Sequence, residues 1–163
     1  MIGFLLGLLV ANAGEWLIHK HLLHRYARRP GSWWAFHLEE HHYAASVHEG
    51  RDPAYERLTW QWNAQTKEAV ALLFGALLEV PLYFVAPSFT LGLWVSMVGY
   101  YVVHRKAHLD PAWARKYLPW HYDHHMGRNP ERNWCVTLPL WDHVMGTRVP
   151  GSNLTPSGAK TAV

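Results

Sequence analysis

The chain has 163 residues, 50% of them apolar and 14% aromatic, with 13 histidines, 10 tryptophans and one cysteine, and this length suits a single domain over 1–163. Fifteen Lys and Arg against twelve Asp and Glu leave a net charge of +3, too sparse a basic surface for duplex recognition, so no nucleic-acid partner is expected. Cys135 alone cannot close an internal disulfide or supply the thiolates of an iron–sulfur cluster, which excludes a disulfide scaffold and a self-contained ferredoxin.

In chain order, Ile2–Ile18 is apolar apart from Asn12 and Glu15 and is just long enough to cross a hydrocarbon core. Ala11-Asn12-Ala13 resembles a signal-peptidase site, but no positive charge precedes the run, and cleavage there would place the arginine-rich segments outside. A polar segment rich in His, Arg and Trp follows from Lys20 to Lys67. A second apolar run covers Ala69–Ala86 and, after Pro87-Ser88, a third covers Phe89–Val103. Neither holds a Lys or Arg and both are apolar all round, which predicts a tight transmembrane hairpin. The second polar segment begins at Arg105, and its end, 150–163, is rich in Gly, Ser, Thr and Pro and is expected to fray. Every Lys and Arg lies in the two polar segments, so the positive-inside bias puts both in the cytoplasm. The predicted fold is all-α: an integral membrane protein of about three transmembrane helices with a helical cap on the cytoplasmic side. Trp16, Trp60, Trp62, Trp113 and Trp120 sit where polar and apolar segments meet, as an aromatic belt would. Glu79 lies inside the second run, where an ionisable group is costly unless it faces a cavity, a neighbouring helix or a second copy of the chain.

The histidines fall into four clusters: His19, His21 and His24; His37, His41 and His42; His104 and His108; His121, His124 and His125. Residues three or four apart share a helix face, so His37 with His41, His104 with His108, and His121 with His124 and His125 can each aim imidazoles at one place. Neutral imidazole binds iron, zinc, copper and nickel, and ten such ligands suit a pair of metal ions. His48 and His143 stand apart and read as ordinary surface histidines.

This pattern resembles the membrane-bound fatty acid hydroxylase and sterol desaturase superfamily over roughly Glu15 to Thr147. An opening box is matched by Glu15-Trp-Leu-Ile-His19-Lys with His24, a third by His104 and His108, and a last by His121, His124 and His125. Cys135-Val-Thr-Leu-Pro-Leu-Trp141-Asp142-His-Val-Met-Gly146-Thr147 is similar to the segment that follows the last box. The resemblance implies the ligand set His19, His24, His37, His41, His42, His104, His108, His121, His124 and His125, with catalysis resting above all on His41, His124 and His125. The second box, in which three residues separate His37 from His41-His42, is one residue longer than the usual two-residue gap. On an ideal helix His19 and His24 lie about 140° apart, whereas His21 and His24 share a face, so spacing favours His21 and the resemblance favours His19. Arg29-Pro30-Gly31 ends that helix and bears on the shape of its last turns. The spans are fewer than the four common in the family, which makes a second copy of the chain an expected partner.

By that resemblance the protein is a non-haem di-iron, oxygen-dependent lipid hydroxylase acting on a fatty acyl chain; a carotenoid hydroxylase or a sterol or lipid desaturase would use the same boxes. Two irons and dioxygen are the implied cofactor and co-substrate, with zinc, which is redox-silent, an expected replacement in purified protein. A histidine-rich membrane protein that binds or transports metal, or a haem protein, are readings of other classes. Glu15, Glu39, Glu40, Asp123 and Asp142 are expected to orient ring N–H groups. No dinucleotide turn, haem segment or cluster is present in the sequence to deliver electrons, so a ferredoxin or a cytochrome b5-like carrier with its reductase is expected as donor, docking at Arg25, Arg28 and Arg29.

Overall fold

The computed structural model describes residues 1–57 and 61–150; Trp60 and the tail beyond Pro150 lie outside the described residues. Among the described residues there are eight α-helices and no strand, an all-helical fold. Helix α1 (Ile2–Leu17) runs without a break into a π-helix, Ile18–Tyr26. A second π-helix, His37–His42, leads into α2 (Tyr43–Val47). Then come α3 (Ala64–Leu78), α4 (Val80–Tyr83), α5 (Pro87–Leu109), α6 (Pro111–Tyr117), α7 (Pro119–Met126) and α8 (Leu140–Val144).

The helix starts are written locally. The Asn63 side chain accepts from the Thr66 amide at 3.1 Å and the Asp110 side chain from the Trp113 amide at 3.0 Å, each satisfying a donor that the first turn leaves over. Proline occupies the opening position of α5, α6 and α7, where its missing N–H loses nothing. The same residue type breaks the second apolar run. Pro81 cannot bond back to the preceding turn, so Ala69–Ala86 is not one helix: α3 stops at Leu78 and α4 adds a single turn before the chain reverses. Among the described residues one helix, Ile2–Tyr26, is both long and apolar enough to cross a membrane. Helix α5, at 23 residues, has the length, but its last turns carry His104, Arg105, Lys106 and His108.

Helices α1 and α5 run parallel and cross at Gly7 and Gly92. A Cβ on Gly7 would collide with the Phe89 carbonyl oxygen and come within 3.0 Å of Gly92 Cα; one on Gly92 would meet the Phe4 carbonyl and, again at 3.0 Å, Gly7 Cα. Gly3 faces Ser88 one turn below. Small residues four apart on both helices let the backbones touch, the packing that serves where no hydrophobic effect drives helices together. Helix α3 returns antiparallel to α5, Gly75 facing Met97 and Gln65 bonding Tyr101. The N-terminus and the α4–α5 turn therefore share one end, and all the histidine clusters share the other.

Outward-facing Leu5, Leu73, Leu77, Val95 and Val98 make a broad apolar surface on these three helices. The interior lies at the histidine end. Trp16 packs there with Trp134, Cys135 and Trp141, and the Trp120 indole donates to the Val136 carbonyl at 2.8 Å. These two tryptophans are internal rather than belt residues because each is claimed by the loop that covers the histidines. Trp113 packs against Ala107, Ala114 and Leu118, and Trp62 is exposed.

Candidate metal centre

The two π-helices decide which histidines meet. Backbone bonding from i to i+5, as from the Ala27 amide to the Leu22 carbonyl at 3.1 Å, gives about 4.4 residues per turn, so side chains five apart are about 50° apart rather than 140°. His19 and His24 in the first π-helix, and His37 and His42 in the second, are such pairs. His19 and His24 are buried, with ring centroids 5.2 Å apart, and His37 and His42 bring their Nε2 atoms to 3.2 Å. His21 is exposed and lies edge-on to Trp16. The longer second box is thus accommodated by its winding.

All ten histidines of the sequence-derived set gather in one place, in two groups. His19, His24, His37, His42 and His124 present ring nitrogens that lie within 4.8 Å of one another, and so do His41, His104, His108 and His125. His121 joins the second group, its Nε2 standing 3.1 Å from that of His108. His48 and His143 are exposed.

Most of the rings are fixed from behind. The Nδ1 atoms of His19, His108 and His124 donate to the carbonyls of Trp134, Gly50 and Arg132 at 2.6, 2.9 and 2.7 Å. Those of His41 and His104 donate to Asp52 and Glu68 at 2.7 and 2.9 Å, and His24 faces Glu131 at 3.4 Å. A donated Nδ1–H leaves the Nε2 lone pair pointing inward. There, Nε2 meets Nε2 at 3.0 Å for His19 and His37 and at 3.2 Å from His42 to both His24 and His124. The Nε2 atoms of His41 and His104 and both ring nitrogens of His125 are buried without a partner. Ring nitrogens at this distance share either a proton or a cation, and ligands at right angles around an ion bonded at about 2.1 Å are about 3.0 Å apart. The donor set therefore fits metal ions. Burial holds the imidazoles of His37, His42, His121 and His125 well below their usual titration range and that of His124 at about 4, so these rings are neutral near pH 7 and available as ligands.

The acids that reach the rings, Asp52, Glu68 and Glu131, are not those the sequence singled out. Asp52 follows a turn that only the fold carries back to His41, and Glu68 opens a helix whose apolar character drew attention to its far end. Tyr55 donates to the other oxygen of Glu68. Of the five expected acids, Asp142 accepts from the Trp134 and Cys135 amides at 2.8 Å each and from the Thr147 hydroxyl at 2.7 Å. Glu15 accepts from the Val136 and Thr137 amides, both at 3.1 Å. These two carboxylates fold the 134–137 loop so that the Trp134 carbonyl faces His19; they act on the backbone rather than on a ring. Glu40 pairs with Lys67, Glu39 is exposed and Asp123 is buried on α7. At the basic patch, Arg28 pairs with Glu131 while Arg25 and Arg29 are exposed.

A cavity of about 500 Å³ opens beneath the histidines between α1, α3 and α5. His19, His37, His41 and His104 form one end, Leu72, Phe74, Leu93 and Met97 line its length, and Glu79 lies at the other. The arrangement joins a metal-binding donor set to a largely apolar cavity.

Comparison with curated proteins and with solved structures gives no match. The family model described as fatty acid hydroxylase matches residues 4–147, and the chain belongs to that family, within the fatty acid hydroxylase and sterol desaturase superfamily.

Proposed function

With that membership as premise, we propose that the protein is a membrane-embedded di-iron monooxygenase that hydroxylates the hydrocarbon chain of a lipid, most simply a fatty acyl chain. The observation that carries the reading is the two histidine groups, one of five and one of four with His121 beside it, opening onto one largely apolar cavity. Two irons held by these groups supply the activation of dioxygen needed to oxidise an unactivated C–H bond. The balance is one C–H bond, one O2, two electrons and two protons giving one C–OH and one water.

The rest is work for the chain. His19, His24, His37, His42 and His124 hold one ion, and His41, His104, His108, His121 and His125 the other. Asp52 and Glu68 accept from the Nδ1–H groups of His41 and His104, which fixes the two rings and raises the basicity of their Nε2 atoms. His41, His104 and Tyr55 line the cavity end, so a chain occupying it presents its reacting carbon to that group, while the apolar walls exclude water. Apolar side chains facing outward on α1, α3 and α5 support embedding in a bilayer. The basic residues at the histidine end support placing the centre on the cytoplasmic side, where a separate electron carrier docks.

The test is comparative lipidomics of a host expressing the chain or its His124→Ala variant. A lipid gaining one oxygen only with the unsubstituted chain is the expected result. A lipid losing two hydrogens would replace hydroxylation by desaturation, and identical lipids in both hosts would refute an oxidase role.

A further inference from the structure

The two histidine groups are supported from behind by different chemistry. In the first, His19 and His124 donate through Nδ1 to the main-chain carbonyls of Trp134 and Arg132 at 2.6 and 2.7 Å. His24 faces Glu131 at 3.4 Å, and that carboxylate lies at the surface and is also claimed by Arg28. In the second, His41 donates to Asp52 at 2.7 Å and His104 to Glu68 at 2.9 Å, while the Gly50 carbonyl serves His108. Asp52 and Glu68 are 2% and 8% exposed. Besides the imidazoles they meet neutral groups, the Ala54 amide at Asp52 and the Tyr55 hydroxyl at Glu68. Glu15 and Asp142, which serve the first group, spend their oxygens on the 134–137 loop and Thr147 rather than on a ring.

A carboxylate is a stronger hydrogen-bond acceptor than a carbonyl. It draws the Nδ1 proton further from the ring, makes Nε2 a better ligand and fixes the ring's direction, and each such support is worth about 10- to 100-fold in metal affinity. The second group has two of them, short and buried, where water screens little; the first has one, long, exposed and shared with an arginine. We propose that the two metal positions are unequal in hold: the second group keeps its ion, and the first is the exchangeable position that empties first when iron is scarce. This rests on the metal centre of the proposed function and on no step of the oxidation.

The experiment challenges the loaded protein with a chelator and reads metal, not turnover. The full chain, loaded with iron(II) in detergent under argon, is dialysed against graded EDTA, and iron per chain is measured by plasma mass spectrometry. Repulsion between two ions staggers their loss even from equal positions, so the comparison is between chains with one intact group. His24→Ala with His124→Ala leaves the second group intact, and His108→Ala with His121→Ala leaves the first. The former is expected to hold its iron to about tenfold higher EDTA than the latter. Asp52→Asn keeps an oxygen for the Ala54 amide but offers His41 an NH2 group, which cannot accept. Added to the chain with the second group intact, it should lower the EDTA concentration of half-release by about 10- to 100-fold; added to the other, it should change nothing, which a merely structural role would not allow. Equal half-release in the two single-group chains, the reverse order, or an Asp52→Asn effect in both or in neither overturns the proposal. An unsubstituted chain that holds no iron removes the metal centre, and with it both the ranking and the proposed function, whereas two equally held irons refute the ranking alone.

Discussion

Gly7→Ala perturbs the crossing that sets the two ligand-bearing helices side by side. Its Cβ would overlap the Phe89 carbonyl and stand 3.0 Å from Gly92 Cα, so α1 and α5 must separate by about 1 Å, and overpacking of this kind costs about 1–3 kcal/mol. Helix α1 leads into His19 and His24, and α5 carries His104 and His108. Separation at the crossing therefore loosens both metal groups as well as the fold. Gly99→Ala is the matched control: nothing lies within 4 Å of its added Cβ, and the change gains up to about 1 kcal/mol of helix propensity. Thermal unfolding of both variants in the same detergent, with iron content measured alongside, separates the two effects. We expect a net difference of about 2–4 kcal/mol between the variants and lower iron occupancy in Gly7→Ala alone. Equal stability and equal iron in the two would refute the claim that close backbone contact at Gly7 and Gly92 aligns the centre.

Other outcomes follow from the same geometry. Asp52→Ala frees the His41 ring and should lower metal affinity or activity by about 10- to 100-fold, read by metal titration; an unchanged affinity would show that the 2.7 Å contact does not position the ligand. His41→Ala, His124→Ala and His125→Ala should each reduce bound metal and abolish product, whereas His21→Ala, His48→Ala and His143→Ala, at exposed positions, should not; equal losses throughout would sink the ligand assignment. Acid should destabilise the metal-free fold. His124 is held at about 4 against about 6.5 in an unfolded chain, so below pH about 6.5 the unfolded state binds protons that the native state refuses. The stability this residue contributes is complete above that value and is lost between there and pH about 4. Denaturant unfolding at pH 8 and pH 5 checks the sign, and a flat or inverted dependence contradicts buried neutral rings. Ala71→Trp, which fills the cavity, should stop product formation while leaving metal content unchanged.

Composition and spacing alone mark the histidine clusters from which the centre is drawn. Eleven imidazoles in four short clusters, flanked by runs free of Lys and Arg, already place the donors at one end of apolar helices, because apolar periodicity and charge exclusion are local properties of the chain. They do not determine how the donors divide. The choice of His19 over His21 turns on winding: five-residue spacing is wrong for an α-helix and right for a π-helix, and the π-turns are held by the Trp134–Thr137 loop from more than a hundred residues away, through Trp134 to His19 and Asp142 and Glu15 to the loop itself. Asp52 and Glu68 carry no marker in sequence, since a carboxylate becomes an imidazole's partner only when two separate segments are packed together. Pro81 divides the second apolar run locally, but that Glu79 lies at the foot of a cavity was decided by α1 and α5, whose glycine contact fixes the space that α3 closes.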